Sequence, residues 1–68
     1  MAEIAKVIRI IGQSPTSFAD AAKVAVKEAS RTVRDIHGAH VVEMSAVVEN
    51  EQITLFRTTV DIAFGVER

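Results

Sequence analysis

The sequence predicts an α+β domain of element order βαββ, a three-stranded antiparallel sheet packed on one long helix. Three observations predict it. An alternating β-branched run opens the chain, one long stretch repeats near 3.6 residues, and two further alternating runs flank a short polar turn. All of this falls within 68 residues, a single domain spanning 1–68 with no repeat, linker or low-complexity segment.

Residues 3–11 (EIAKVIRII) form the first predicted strand, with Ile4, Ile8 and Ile10 on one face. Gly12 closes the run, and the cluster GQSPTS reads as a turn in which Pro15 stops the strand. Ser17 or Thr16 offers a helix N-cap. Asp20, three residues beyond Ser17, sets a carboxylate against the positive helix end in imitation of a capping box. The segment Ser14-Pro15-Thr16-Ser17 also has the look of a phosphate-binding helix start, although a cap and turn explain it as well.

From Phe18 to about His37 the period is helical. Phe18, Ala22, Ala25, Val26, Ala29, Val33 and Ile36 fall on one side, opposite Asp20, Lys23, Lys27, Arg31 and Arg34. Such a helix would be ~28 Å long at ~1.5 Å per residue. Its inner stripe is mostly Ala and Val, so something flat, such as a sheet, should approach it closely. His37-Gly38 ends it, with Gly38 suited to a left-handed cap.

Residues 39–49 then alternate as a second strand, with Val42, Met44, Ala46 and Val48 on one face and Val41, Glu43, Ser45 and Val47 on the other. Glu49-Asn50-Glu51 is a hairpin turn. Residues 52–64 give a third strand, with Phe56, Val60, Ile62 and Phe64 facing one way and Leu55, Arg57, Thr59 and Asp61 the other. The faces carrying Met44 and Phe56 are expected to build the core. The opposite, mixed faces suit a subunit contact or a lined cavity, because one helix covers only one side of a sheet.

Composition narrows the function. A chain of this size buries only ~60% of the surface its unfolded form exposes. It has no Cys, which removes disulfides, thiol chemistry and cysteine-ligated zinc, yet it is 49% hydrophobic with mean hydropathy +0.23. The excess apolar surface predicts burial between subunits. Eight Lys and Arg against nine Asp and Glu give a net charge of −1, interspersed along the chain, and aromatics are limited to Phe18, Phe56 and Phe64. A nucleic-acid partner is not expected from such a surface. No apolar run approaches the ~20 residues of a membrane span, and no signal-peptide pattern opens the chain, so a cytoplasmic location is expected.

The ordered set KVIRIIG-x-SPTSF-x-DAA, A-x-x-TVRDI, VVEM and VDIAFGVE resembles the dodecins across residues 5–66. The resemblance implies a hollow, near-spherical homododecamer of βαββ subunits. It implies a non-enzymatic protein that binds or stores a small ligand, most often a flavin such as riboflavin, FMN or lumichrome, between subunits. In flavin-binding relatives paired rings stack on a Trp ahead of the second strand, and a Gln on the third strand contacts the ring. Here Gly38 stands at the Trp position, His40 at that of a nearby acid, and Arg57 at that of the Gln. These three are the candidate pocket residues. Some relatives bind coenzyme A or metal ions including calcium, so a divalent cation is the other candidate, with Glu43 its candidate ligand. A structural shell that has lost flavin binding and holds metal ions or an anionic metabolite is the alternative.

Each candidate also has a plainer reading. Gly38 could simply end the helix, and Arg57 could pair with Glu43 or Asp61 rather than with an anionic ligand. His37 and His40 straddle the expected helix end and lack a third metal ligand. A Ser–His–Asp set from Ser14 or Ser45 with His40 and Asp61 can be written, but no nucleophile elbow supports it.

Overall fold

The computed structural model describes residues 4–66. Its elements are β1 (Ile4–Ser14), α1 (Phe18–Ala29), β2 (Ile36–Glu49) and β3 (Gln52–Val66). They form one antiparallel sheet in the order β1-β3-β2, with the helix on one face. The expected fold class and element order are therefore what the chain adopts. Glu3, the first residue of the expected opening strand, lies outside the described residues.

Gly12 does not close β1; it lies inside the strand, where the helix crosses. A Cβ at Gly12 would stand 1.9 Å from the Ala21 carbonyl oxygen and 3.0 Å from the Ala25 Cβ. Buried Ala21, Ala25 and Ala29 line the helix along this seam. The small inner stripe thus permits the close approach that the sequence predicts. The core is correspondingly compact: Ala25, Ala29, Val60 and Ile62, with Ile8, Ile10, Ala22, Val26 and Ile36 packed against them.

The helix begins as its cap residues dictate. Ser17 is the N-cap in extended conformation, and its Oγ accepts from the Asp20 backbone N–H at 2.9 Å. Asp20 departs from a capping box. Its carboxylate accepts at 2.6 Å from the hydroxyl of buried Ser14, whose oxygen in turn accepts from the Thr16 backbone N–H. Ser14 is thereby spent on ordering the β1–α1 turn.

The helix ends at Ala29, about two turns before the expected His37. Ser30, Thr32 and Val33 are weak helix formers, and the chain leaves through a tight turn in which Val33 N–H donates to the Ala29 carbonyl. Asp35 then adopts φ 61°. Val33 and Ile36 therefore leave the expected helical stripe, although Ile36 still reaches the core from β2. Gly38 is not a helix cap. It sits in β2 beside a register shift between Ile36 and Gly38.

That shift is followed by two more, between Val41 and Glu43 and between Val47 and Val48, which correct the expected faces of β2: Val48, expected beside Met44, pairs with Ile53 on the opposite face. Directly paired residues share a sheet face. Ala39 pairs with Ile62, Val41 with Val60 and Met44 with Thr58, so these lie on the helix side. Gly38, His40, Glu43, Ser45 and Val47 pair with Ala63, Asp61, Thr59, Arg57 and Leu55 on the outer side. Val41 and Met44, predicted on opposite faces, share one, because bulges break strict alternation. Even so Met44 is not core: it is 58% exposed, because the helix lies over β1 and β3 and barely reaches β2.

The β2–β3 turn is Asn50-Glu51, with φ 53° and 63°. Two consecutive positive φ angles fit the hairpin turn that matches strand twist. Asn tolerates the left-handed region; Glu does so at a cost. The hairpin carries the chain well beyond the helix and gives an elongated molecule of 51 × 19 × 13 Å. Phe56 packs edge-on to Phe18 at 4.9 Å, and buried Thr58 donates from Oγ1 to the Phe18 carbonyl at 2.8 Å.

Candidate functional site

The helix leaves one sheet face open, and Arg9, His40, Glu43, Arg57 and Asp61 all stand on it. Asp61 of central β3 stands between Arg9 on β1 and His40 on β2. Arg9 grips it with two bonds, Nε to Oδ1 at 2.7 Å and Nη2 to Oδ2 at 3.1 Å. This fork geometry is the strong form of the Arg–carboxylate pair. The hydrogen bond from Arg9 is the main reason the Asp61 carboxyl sits below its ordinary value of 3.8, with the His40 charge a lesser cause. The Arg9 guanidinium is raised in turn, first by that hydrogen bond.

Beside this pair an open cleft of about 430 Å³ is lined by Val7, Gly38, Ala39, His40, Asp61 and Ala63. Its floor is made of small residues. A Cβ added at Gly38 would meet only the Ala63 Cβ, at an ordinary 3.7 Å. The cleft therefore joins apolar walls to a polar edge of one imidazole and one carboxylate, the usual composition of a small-molecule site. Of the candidate pocket residues, Gly38 and His40 come together here.

Arg57 does not join them. It lies four residues from Asp61 along β3, ~13 Å away at ~3.3 Å per residue. The expected ion pair with Glu43 or Asp61 is also not made: Asp61 is held by Arg9, and the Arg57 Nε donates to Gln13 Oε1 at 2.9 Å. Glu43 is exposed on the outer face opposite Thr59, one rung from the Arg9–Asp61 pair. Among the described residues no cluster of three or more His, Asp or Glu could hold a metal within one chain. The Ser14–His40–Asp61 set never assembles, because Ser14 is buried on the helix side. Ser45 stands opposite Arg57.

Sequence reading missed the Arg9–Asp61 pair. Its signal was present as the lone cation in VIRII and the lone anion in TVDIA, each at an outer-face position. Only the register of β1 on β3 joins them.

Comparison with known proteins gives a consistent result. A family model described as Dodecin matches residues 4–67. The "Calcium dodecin" of Mycobacterium tuberculosis is 41% identical over 59 residues, which is 87% of this chain and 83% of that protein. Its crystal structure, described as having a novel calcium-binding site, aligns with TM-score 0.83 at 37% identity over 96% of this chain and 93% of that one. The dodecin from Streptomyces davaonensis aligns with TM-score 0.92 at 25% identity over 96% of both chains. No helix among the described residues is long and apolar enough to cross a membrane.

Proposed function

Because this chain belongs to the dodecin family, we propose that it is a non-enzymatic homododecameric protein that binds a small ligand, a flavin, between subunits. The observation that carries this reading is the open cleft at Gly38, His40 and Asp61 on the sheet face the helix leaves uncovered. Val7 and Ala63 offer apolar contact to a ring system, and His40 and Asp61 offer hydrogen bonds at its edge. A neighbouring copy would close the open side.

Gly38 sets the strength of binding. None of the three Phe residues lines the cleft, so a ring seated there has no aromatic stacking partner from its own chain. Stacking is worth ~0.5–1.5 kcal/mol beyond area burial, so its absence weakens affinity by roughly two- to twelvefold. Titrating riboflavin and FMN into the purified protein tests the reading. Quenching of flavin fluorescence is expected, and the double variant Gly38→Trp, Arg57→Gln should bind more tightly than wild type. Flavin left fully fluorescent beside excess protein would sink the flavin reading.

A specific observation favours calcium as a second reading. The 41% identical relative is named a calcium dodecin, and Glu43 lies on the same sheet face as Asp61 here. A symmetry axis can triple a single carboxylate, so one Glu43 per subunit could supply several oxygen ligands. Calorimetric titration with calcium alone, on wild type and Glu43→Gln, separates the two ligands: this reading requires heat in the first and a marked loss in the second.

A further inference from the structure

On the open sheet face, the rung next but one to the Arg9–Asp61 pair runs Gln13–Arg57–Ser45 across β1, β3 and β2. It carries one cation and no anion. The Arg57 Nε donates to Gln13 Oε1 at 2.9 Å, and no carboxylate among the described residues pairs with this guanidinium. Arg9, on the same face, has its charge matched by both oxygens of Asp61. Glu43, the nearest carboxylate by register, stands on β2 opposite Thr59, whereas Arg57 turns toward β1. On the far side of the rung Leu55 pairs with Val47, so nothing there supplies a negative charge either.

The bond to Gln13 decides what the pair offers outward. A guanidinium carries only donors, so an amide beside it must present its oxygen. That choice leaves the Gln13 amide nitrogen, also a donor, outside the bond. The Nη N–H groups of Arg57 remain as well, and both residues are exposed. The outcome is a positively charged edge made of donors alone. Such an edge takes an oxyanion, and the guanidinium fork suits two oxygens of one phosphate. Because Gln13 already holds Arg57, less rotamer freedom is lost when an anion arrives.

We propose that Gln13 and Arg57 form a site for a phosphate group, with Arg57 its binding residue and Gln13 its positioning residue. The site is separate from the Gly38 cleft, since Arg57 lies ~13 Å along β3 from Asp61 at ~3.3 Å per residue. It rests on the flavin reading above in one respect: FMN carries a phosphate and riboflavin does not. Free phosphate has the same chemistry, and the test separates the two sources.

Fluorescence titrations with FMN and riboflavin read the preference directly. Wild type should bind FMN roughly tenfold more tightly, the usual worth of a hydrogen bond to a charged group. Arg57→Gln should erase that preference and leave riboflavin affinity unchanged. In the Gly38→Trp, Arg57→Gln variant the gain should accordingly be larger for riboflavin than for FMN. Gln13→Glu is the sharper change. It keeps a partner on Arg57 but supplies the missing negative charge, so it should erase the preference while melting no lower than wild type. Excess inorganic phosphate then distinguishes the sources. FMN affinity brought down to that of riboflavin shows free phosphate in the site, and an unaltered FMN affinity restricts the site to phosphate borne on a ring. Equal affinity of wild type for the two flavins, or a preference that survives both substitutions, would overturn the site and leave the flavin reading standing. Should neither flavin bind, the flavin reading falls, and inorganic phosphate alone is titrated while the Gln13 side-chain amide is followed by NMR. A saturating shift in wild type that Arg57→Gln abolishes supports the site; no shift in wild type overturns it.

Discussion

β2 and β3 are neighbours of nearly equal length, 14 and 15 residues, and both are rich in Val and Ile. They fare differently. β3 buries Thr58, Val60 and Ile62, whereas no residue of β2 is fully buried and Val41, Val42, Met44 and Val48 are exposed. Hydrophobicity does not separate the strands; position does. β3 lies at the sheet centre under the helix, and β2 lies at the edge, where the helix barely reaches. A strand edge with exposed apolar side chains is a template for another chain. The single chain is therefore held by β1, α1 and β3, and β2 offers its apolar surface outward.

The strongest way to break the contrast is at the seam that holds the helix down. Gly12→Val places a Cβ against the Ala21 carbonyl, a backbone group that cannot rotate away. Overpacking against yielding side chains costs ~1–3 kcal/mol, and this clash is expected to exceed that range and abolish a cooperative melt. Gly38→Ala on β2 meets only ordinary contact and removes a flexible strand glycine, so it should be neutral or stabilise by ~0.5–1 kcal/mol. Thermal melts followed by circular dichroism compare the two. Equal losses at both glycines would refute the distinction between the strands.

Ile62→Ala against Met44→Ala sharpens it. The first empties a fully buried site and should cost ~2–5 kcal/mol at any protein concentration. The second removes a side chain that is 58% exposed in the single chain, so its cost there should stay below ~1 kcal/mol. Assembly changes the expectation for Met44 alone. Its loss should appear as an altered dependence of Tm on protein concentration, the mark of a group buried by a partner copy.

The same contrast explains how much was legible in sequence. Local rules held where local chemistry decided the outcome: the Ser17 cap, the Asn50 turn, the Ala stripe of α1 and the alternation of β3. They failed where tertiary geometry overrode the pattern. Helical spacing continued through Val33 and Ile36, but the weak formers Ser30 and Thr32 and the pairing of Ile36 with Phe64 drew that segment out of the helix. Gly12 and Gly38 looked like punctuation because single-chain reading cannot tell a turn glycine from one beneath a helix or beside a bulge. The bulges near Val42 and Val48 reversed the faces that simple alternation assigned to Val41 and Val48. In the candidate site Gly38 and His40 were legible, whereas Arg57 with Gln13 and Arg9 with Asp61 needed the strand register.

A smaller effect is expected at the hairpin tip. Glu51 holds φ 63°, a conformation that costs a side-chain-bearing residue ~1–2 kcal/mol and glycine almost nothing. Glu51→Gly should therefore stabilise the chain by about 1 kcal/mol, a rise in Tm of roughly 4–8 °C for a domain of this size. The melt belongs in about 1 M salt, where a Debye length of ~3 Å screens the charge removed with Glu51. A fall in Tm under those conditions would mean that the turn is not strained.

The smallest effect lies on the open face. Arg9 holds the Asp61 carboxyl below its ordinary 3.8 in the folded chain. A carboxyl depressed on folding contributes stability that is complete above its unfolded value and is lost as pH falls through the folded one. The contribution of Asp61 is therefore present at neutral pH and fades only below about pH 4. Arg9 is largely exposed, so solvent and salt keep it small. Proton titration of Asp61 by NMR should give a midpoint below the ordinary carboxylate value, and Arg9→Gln should return it upward. Asp61→Asn should flatten only the acid limb of stability while lowering ligand affinity, because the same carboxylate edges the Gly38 cleft. If affinity stays unchanged when Asp61 is neutralised, the ligand sits elsewhere on this face, toward Arg57 and Gln13.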